Sequence, residues 1–363
     1  MSGGGGSLGK RIWALAAKET LQIVRDRATL GMLLGVPLIQ MLLFGFAIQL
    51  TPRSLGVTVV SQSNDVAAAV DQLLSGRSVK AEITVVKSSD AAWRELRRGR
   101  ITVVIFADES PVRVLVDATD PVSANQAIAM MDGLTQRPSN TPDGFSPFAA
   151  PLNIEKKFNP DLRTQPYLVS GLLGLILTMT MVMMSALSLA RERERGTLEG
   201  LVAVGARPLS LTIGKLAPYL LLGVFQGAAV LCLAQMAFDV HVAGSIALLA
   251  LCTVLFAIAN LALGFLFSNL ASAQMPAMQM TFFFFLPSSL LSGFMFPFSA
   301  MPSWARSIGE LLPLTHFLRI ARGVMLRAVD AEYVWREAMP IAAFAFTAGV
   351  VSLLYCQRRL KGD

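Results

Sequence analysis

Cysteine, histidine and charge are all scarce in this chain. Its 363 residues include 3 cysteines and 2 histidines, and only 15% are charged. Cys232, Cys252 and Cys356 all fall inside apolar runs, which excludes a disulfide framework and gives no metal-ligand spacing. His241 and His316 lie far apart, and neither has a ligand-like neighbour in sequence. From Val240 to Ala305 there is no Asp, Glu, Lys or Arg. A phosphate loop is also missing. Gly205 and the Gly214–Lys215 pair have the wrong spacing, and Leu216 stands where Ser or Thr would bind magnesium. Any nucleotide hydrolysis must therefore come from another protein. No paired acid and base, nucleophile elbow or metal cluster is evident, and Ser288, Ser289 and Ser292 lack a nearby base. A cleavable signal peptide is not expected, because the first apolar run starts late and is too long. The Gly-rich opening, either a natural flexible tail or an expression scar, is left out of the fold reasoning.

What is abundant is apolar sequence, 54% of the chain. Six charge-poor segments approach or exceed the roughly 20 residues that cross a hydrocarbon core. The expected fold class is an α-helical polytopic membrane protein: six transmembrane helices plus an extracytoplasmic α/β domain. The spans are expected at 30–50, 166–190, 216–238, 244–267, 275–296 and 338–357. None carries an Asp, Glu or Lys in its central portion, which argues against an ion-coupled carrier. The formal net charge of +7 fits basic residues flanking membrane helices and does not imply a nucleic-acid partner.

Residues 1–29 form the tail and an amphipathic helix. At 100° per residue, Ile12, Trp13, Ala16, Thr20, Ile23 and Val24 gather on one side, and Arg11, Lys18, Glu19, Gln22, Arg25 and Asp26 on the other. A basic helix with a Trp just before a span suits the membrane interface, with Trp13 as its anchor. Residues 51–165 alternate β-rich and helical stretches. Strands are expected at Gly56–Val60, Glu82–Val86, Ile101–Phe106, Val112–Val116 and Ile154–Phe158, and helices at Asp65–Leu74, Asp90–Arg98 and Val122–Leu134, which suggests a small α/β domain. Residues 136–151 read as a loop. Residues 301–328 predict two short helices in the outer interface, the first ended by Pro313 and the second carrying Arg319, Arg322 and Gly323. The tail is 358–363.

The densest alternation of charge opens the segment 191–215, with Arg191, Glu192, Arg193, Glu194 and Arg195, then Gly196, Thr197, Leu198 and Glu199. Gly196 lets a helix end or bend, and Thr197 can cap a new short helix whose Leu198, Leu201 and Val202 share one face. Basic topology residues explain the arginines but not the glutamates, the glycine break and the short amphipathic helix together. A docking element for a cytosolic partner explains all of them. This "RERERGTLEGLV…RP…GK" stretch closely resembles the coupling segment of type-2 ABC exporter permeases. Asn159, Pro160, Leu162 and Arg163 resemble the approach to the second helix in that family, and "LPLTHFLRIARGVMLR" resembles its paired helices before the last span.

The resemblance covers nearly the whole chain, and the large outer domain looks like the subgroup that exports drugs, lipids or other amphipathic compounds. It implies a permease that pairs with a second copy or a close paralogue on two cytosolic ATP-binding cassette subunits. ATP and magnesium would sit on those subunits, with no cofactor in this chain. It further implies that Glu192, Glu194, Arg195, Gly196, Thr197, Leu198 and Glu199 couple to the ATPase. Basic flanks put both termini and the segment 191–215 in the cytoplasm, with the protein multi-pass in the inner membrane. A membrane receptor or scaffold, with the outer domain binding ligand and the charged loop recruiting a partner, is the rival reading.

Overall fold

The computed structural model describes residues 8–25, 54–61, 80–135, 152–197, 208–295, 298 and 301–361. The expected first span, the helix expected at 65–74, the loop 136–151 and the residues Leu198 and Glu199 lie outside these.

Five short strands, the first four rich in β-branched residues, form one sheet: β1 (Ser54–Val60), β2 (Lys80–Val86), β3 (Val103–Phe106), β4 (Arg113–Asp117) and β5 (Asn153–Lys157). The order is β2-β1-β3-β4-β5, and every neighbouring pair is parallel except β3 with β4. A sheet covered on both faces needs apolar residues at successive positions, and β3 is buried at all of its positions. One face packs on α2 (Ser89–Arg97) through Ala92 and Leu96. The other packs on α3 (Pro121–Thr135) through Ala124, Ala127 and Met131. Asp120 fixes the start of α3 by accepting from the Val122 amide at 3.1 Å and the Ser123 hydroxyl at 2.5 Å.

The remaining described helices form a bundle. Its members are α1 (Leu8–Arg25), α4 (Thr164–Glu194), α5 (Pro208–Phe238), α6 (Ile246–Leu270), α7 (Gln274–Leu291), α8 (Ser303–Gly309), α9 (Pro313–Arg327) and α10 (Ala331–Lys361). By length and composition, α4, α5, α6 and α10 can each cross a bilayer, so the chain is a multi-pass helical membrane protein. The 18-residue α7, where a fifth span is expected, is not among those four.

Helix α4 is the axis of the bundle, and small residues let its neighbours close on it. A Cβ on Gly264 of α6 would lie 2.0 Å from Ser185 Oγ and 2.3 Å from the Val182 carbonyl oxygen of α4. A turn further on, Ser268 Oγ accepts from the amides of Leu189 at 2.9 Å and Ala190 at 3.1 Å. Asn269 ties α6 to α10 by donating to Ser352 Oγ at 3.1 Å.

The bundle has two distinct ends. At one, Leu15 of α1 packs against Leu189, Leu211, Phe265 and Cys356, which come from α4, α5, α6 and α10. The sheet domain sits at the other. Asn159 brackets the entry to α4 by bonding both the amide and the carbonyl of Arg163, at 3.0 and 2.8 Å, and the Arg163 guanidinium donates to the Phe238 carbonyl at the end of α5 at 2.5 Å. The turn after α5 then runs along α9, where the amides of Ala243 and Gly244 donate to the Met325 and Val324 carbonyls at 2.9 and 3.0 Å. Arg97 of α2 donates to the carbonyls of Arg327 and Ala328, so a cation caps the C-terminal end of α9.

Three details differ from the reading of the sequence. Pro313 does not end the first short helix, which stops at Gly309; it is the first residue of α9, where a missing N–H costs nothing. The charged segment between α4 and α5 is shorter than 191–215, because α4 continues to Glu194 and α5 starts at Pro208. The last helix, Ala331–Lys361, starts before the span expected at 338–357 and runs past its end.

Candidate functional site

The end of α4 is a Schellman turn. Gly196 adopts φ +67°, its amide donates to the Arg193 carbonyl at 3.1 Å, and the Thr197 amide donates to the Glu192 carbonyl at 3.0 Å. Glycine is the residue that takes this backbone without a Cβ penalty. Among the described residues nothing lies within 4 Å of the position a Gly196 Cβ would occupy, so what they require of it is backbone conformation and not close packing.

Glu194, Arg195, Gly196 and Thr197 are exposed, whereas Glu192 is buried. The Glu192 carboxylate accepts from Lys18 of α1 at 2.6 Å and from Lys215 of α5 at 3.3 Å, and it also takes the Thr197 hydroxyl. Lys215 is only 2% exposed and reaches Glu19 of α1 at 3.2 Å and the Ser188 carbonyl at 3.3 Å. The Tyr219 hydroxyl donates to the other oxygen of Glu19. Two carboxylates, two ammonium groups and two hydroxyls from α1, α4, α5 and the turn thus satisfy one another at the bundle end. Buried charges are tolerated in this way, paired and hydrogen-bonded.

Glu19 is the main surprise. Helical periodicity places it on the solvent side of an amphipathic helix, yet it is 3% exposed and faces Lys215 and Tyr219. Trp13 on the same helix is 75% exposed. Glu194 turns a different way. It accepts from the backbone amide of Gln274 at 2.8 Å and from the Gln274 side-chain amide, so it caps the first turn of α7. Of the expected coupling residues, the structure brings Glu192 and Thr197 together and directs Glu194 to α7. Arg195 and Gly196 form the exposed turn. The sequence signal for the network is a lone lysine, Lys215, just before a long charge-free run, with a glutamate available on the helix before the first expected span.

At the sheet-domain end, His316 is not isolated, contrary to the reading from sequence. Its Nδ1 lies 2.7 Å from the Glu337 carboxylate and its Nε2 2.9 Å from the Glu310 carbonyl. Arg319 bonds Glu310 at 2.6 Å and Glu337 at 3.5 Å. Burial works against its charge, but the two carboxylates outweigh that and hold the guanidinium pKa above its usual value. Gly323 lets the chain fold back after α9: a Cβ there would meet Val329 Cγ2 at 2.9 Å, and the Val329 amide donates to the Gly323 carbonyl. Arg322 stacks over the Tyr167 ring at 4.0 Å. Among the described residues there is no group of three or more His, Cys, Asp or Glu that could hold a metal ion.

Against known proteins, a family model described as ABC-2 family transporter protein matches residues 27–354. The chain is 26% identical over 364 residues to the probable multidrug ABC transporter permease YbhR of Escherichia coli K12, covering 96% of this chain and 99% of that protein. It is 29% identical to the probable multidrug ABC transporter permease YbhS of the same strain, over 87% of this chain and 89% of the relative. The inner membrane transport permease YhhJ of that strain is 25% identical over 95% of this chain and 96% of its own length.

Proposed function

The chain belongs to the ABC-2 family of transporter proteins, and on that premise we propose that it is the permease of an ATP-driven exporter of drugs, lipids or similar amphipathic compounds. It is a transport subunit and not itself an ATPase. Separate cytosolic cassette subunits supply ATP hydrolysis and hold ATP and magnesium, and a second copy or close paralogue completes the pathway. The similarity to permeases named as multidrug supports the substrate class.

Six spans follow if residues 30–50 and α7 join the four long apolar helices. The α1 end of the bundle carries Lys18, Arg191, Arg193, Arg195, Lys215 and Arg358, which supports a cytoplasmic assignment for that end and for both termini. The sheet domain is then outside. In a cysteine-free background, Ser89→Cys should react with an impermeant maleimide on intact cells, and Arg358→Cys only after the cells are opened. The opposite pattern reverses the orientation.

The observation that carries the coupling reading is the junction at Glu192. A force on the residues after Thr197 reaches Glu192 through the turn, and through Glu192 it reaches both α1 and α5. Coupling residues are therefore of two kinds. Arg195 and Gly196 form the exposed element an ATPase can touch, while Glu192 and Thr197 pass the displacement on.

Gly196→Val tests this. It places a β-branched side chain at positive φ, a conformation costing about 1–2 kcal/mol, in open space. The protein should still insert, because no span is altered. In vesicles holding equal amounts of permease with its ATPase, transport per ATP hydrolysed should fall severalfold. Wild-type coupling in Gly196→Val and in a Glu194→Ala, Glu199→Ala double variant would leave the turn as an ordinary loop.

A further inference from the structure

The sheet domain does not rest flat on the bundle. Between it, α9 and the start of α10 lies a cavity of about 530 Å³, the size of a small-molecule site. Among the described residues its walls carry six arginines (98, 100, 306, 319, 322 and 327) and four carboxylates (Asp117, Asp120, Glu310 and Glu337).

The carboxylates are already committed. Asp117 takes Arg327 at 2.8 Å and the Thr119 amide at 2.9 Å. Asp120 is bound to the first turn of α3. Glu310 and Glu337 share Arg319 and face His316. Arg98 and Arg100 lean on Glu95 at 3.8 and 3.2 Å, and Arg98 also on Glu332 at 3.9 Å, both outside the cavity.

Among the described residues, Arg322 has no carboxylate partner. Its Nη1 donates to the Gly293 carbonyl at 3.1 Å, and its plane lies on Tyr167. Its Nε and Nη2, both buried, have no hydrogen-bond partner. Those two atoms form the side edge of the guanidinium, whose parallel N–H groups match the two oxygens of a carboxylate or phosphate. A buried charged donor left unpaired is expensive, more so than a neutral one.

We propose that this cavity is a binding site for a phosphate-type oxyanion, received by the side edge of Arg322 with Arg98 and Arg100 on the opposite wall. The open guanidinium edge of Arg322 matches a phosphate better than a neutral ligand. Because the walls come from the sheet domain, α4, α9 and α10, the anion bridges the outer domain to the helices beneath it. The same chemistry is offered by free phosphate and by a phospholipid headgroup reaching in from the outer interface.

The test uses the full chain, purified in a zwitterionic detergent and, in parallel, in nanodiscs of phosphatidylcholine with or without phosphatidylglycerol. Inorganic phosphate is titrated against chloride at fixed ionic strength, and thermal unfolding and bound mass by native mass spectrometry are read. Wild-type protein should be stabilised by phosphate, by phosphatidylglycerol, or by both. Phosphate alone identifies a free anion. Phosphatidylglycerol alone, or displacement of one by the other, identifies a headgroup.

Arg322→Gln should weaken the apparent affinity about tenfold or more, as loss of charge-assisted hydrogen bonds implies. Should Arg322→Gln not fold, the exposed-side double variant Arg98→Gln, Arg100→Gln carries the same prediction with a smaller loss. No stabilisation of wild type by either ligand relative to chloride overturns the proposal. So does an affinity unchanged in every variant that folds.

Discussion

Replacing Lys215 with methionine should destabilise the protein by about 3–5 kcal/mol, the range for breaking a buried ion pair by removing one partner. Methionine fills much of the same volume, so the loss comes from charge and not from a cavity. Lys215 lies between Glu19 and Glu192, and without it these carboxylates keep only Lys18, Tyr219 and Thr197. Glu19 then loses the ammonium group that faces it. The first structural effect should be release of α1 from α5, seen as new protease sensitivity between residues 8 and 25. Glu19→Gln in the Lys215→Met background should recover much of the stability, because it removes the orphaned charge. A double-mutant cycle by thermal unfolding in detergent checks the coupling. If Lys215→Met unfolds like wild type, the network is solvated and cannot transmit force.

A second large effect should follow Gly264→Val. Space at that position is blocked by α4 backbone: the Val182 carbonyl oxygen lies 2.3 Å and the Val182 Cα 2.9 Å from the added Cβ. A side chain can rotate away, but backbone can yield only if α4 and α6 separate. Overpacking costs about 1–3 kcal/mol where side chains give way, and occasionally more; here they cannot, so the expected outcome is loss of a folded monodisperse protein in detergent. Gly223→Ala should be milder, since the obstacle is the flexible Met181 thioether at 2.6 Å. Gly349→Ala meets nothing within 4 Å and should be neutral or slightly stabilising. Equal behaviour of the Gly264 and Gly349 variants would refute the close crossing.

These two sites show what the sequence makes readable. Gly196 is legible because a charged helix end followed by glycine has a local explanation, and the turn is local. The five strands are legible because β-branched runs bounded by polar residues are local too. Glu19 is not. Its helix has the correct period, but periodicity separates polar from apolar faces and cannot tell a face toward water from a face toward a buried lysine 196 positions away. Likewise Gly264 is an ordinary small residue until α4 is laid against it. Hydropathy also marks where the bilayer is and not where helices stop, so α4 and α5 extend past the apolar boundaries. His316 has no ligand-like neighbour in sequence, because Glu337 is 21 residues away on the next helix.

The tethering of α9 has a mechanical consequence. Its last turn is held by backbone amides of the α5–α6 turn and by Arg97 of the sheet domain, and most of these bonds end on carbonyl oxygens. No change of side chain along α9 can delete a carbonyl acceptor, so point substitutions there can weaken the packing but leave the tether. The sheet domain, the last turn of α9 and the end of α5 beside them are therefore expected to move as a single block. A motion at this end of the bundle should then swing all three together, about points at the far ends of α5 and α10.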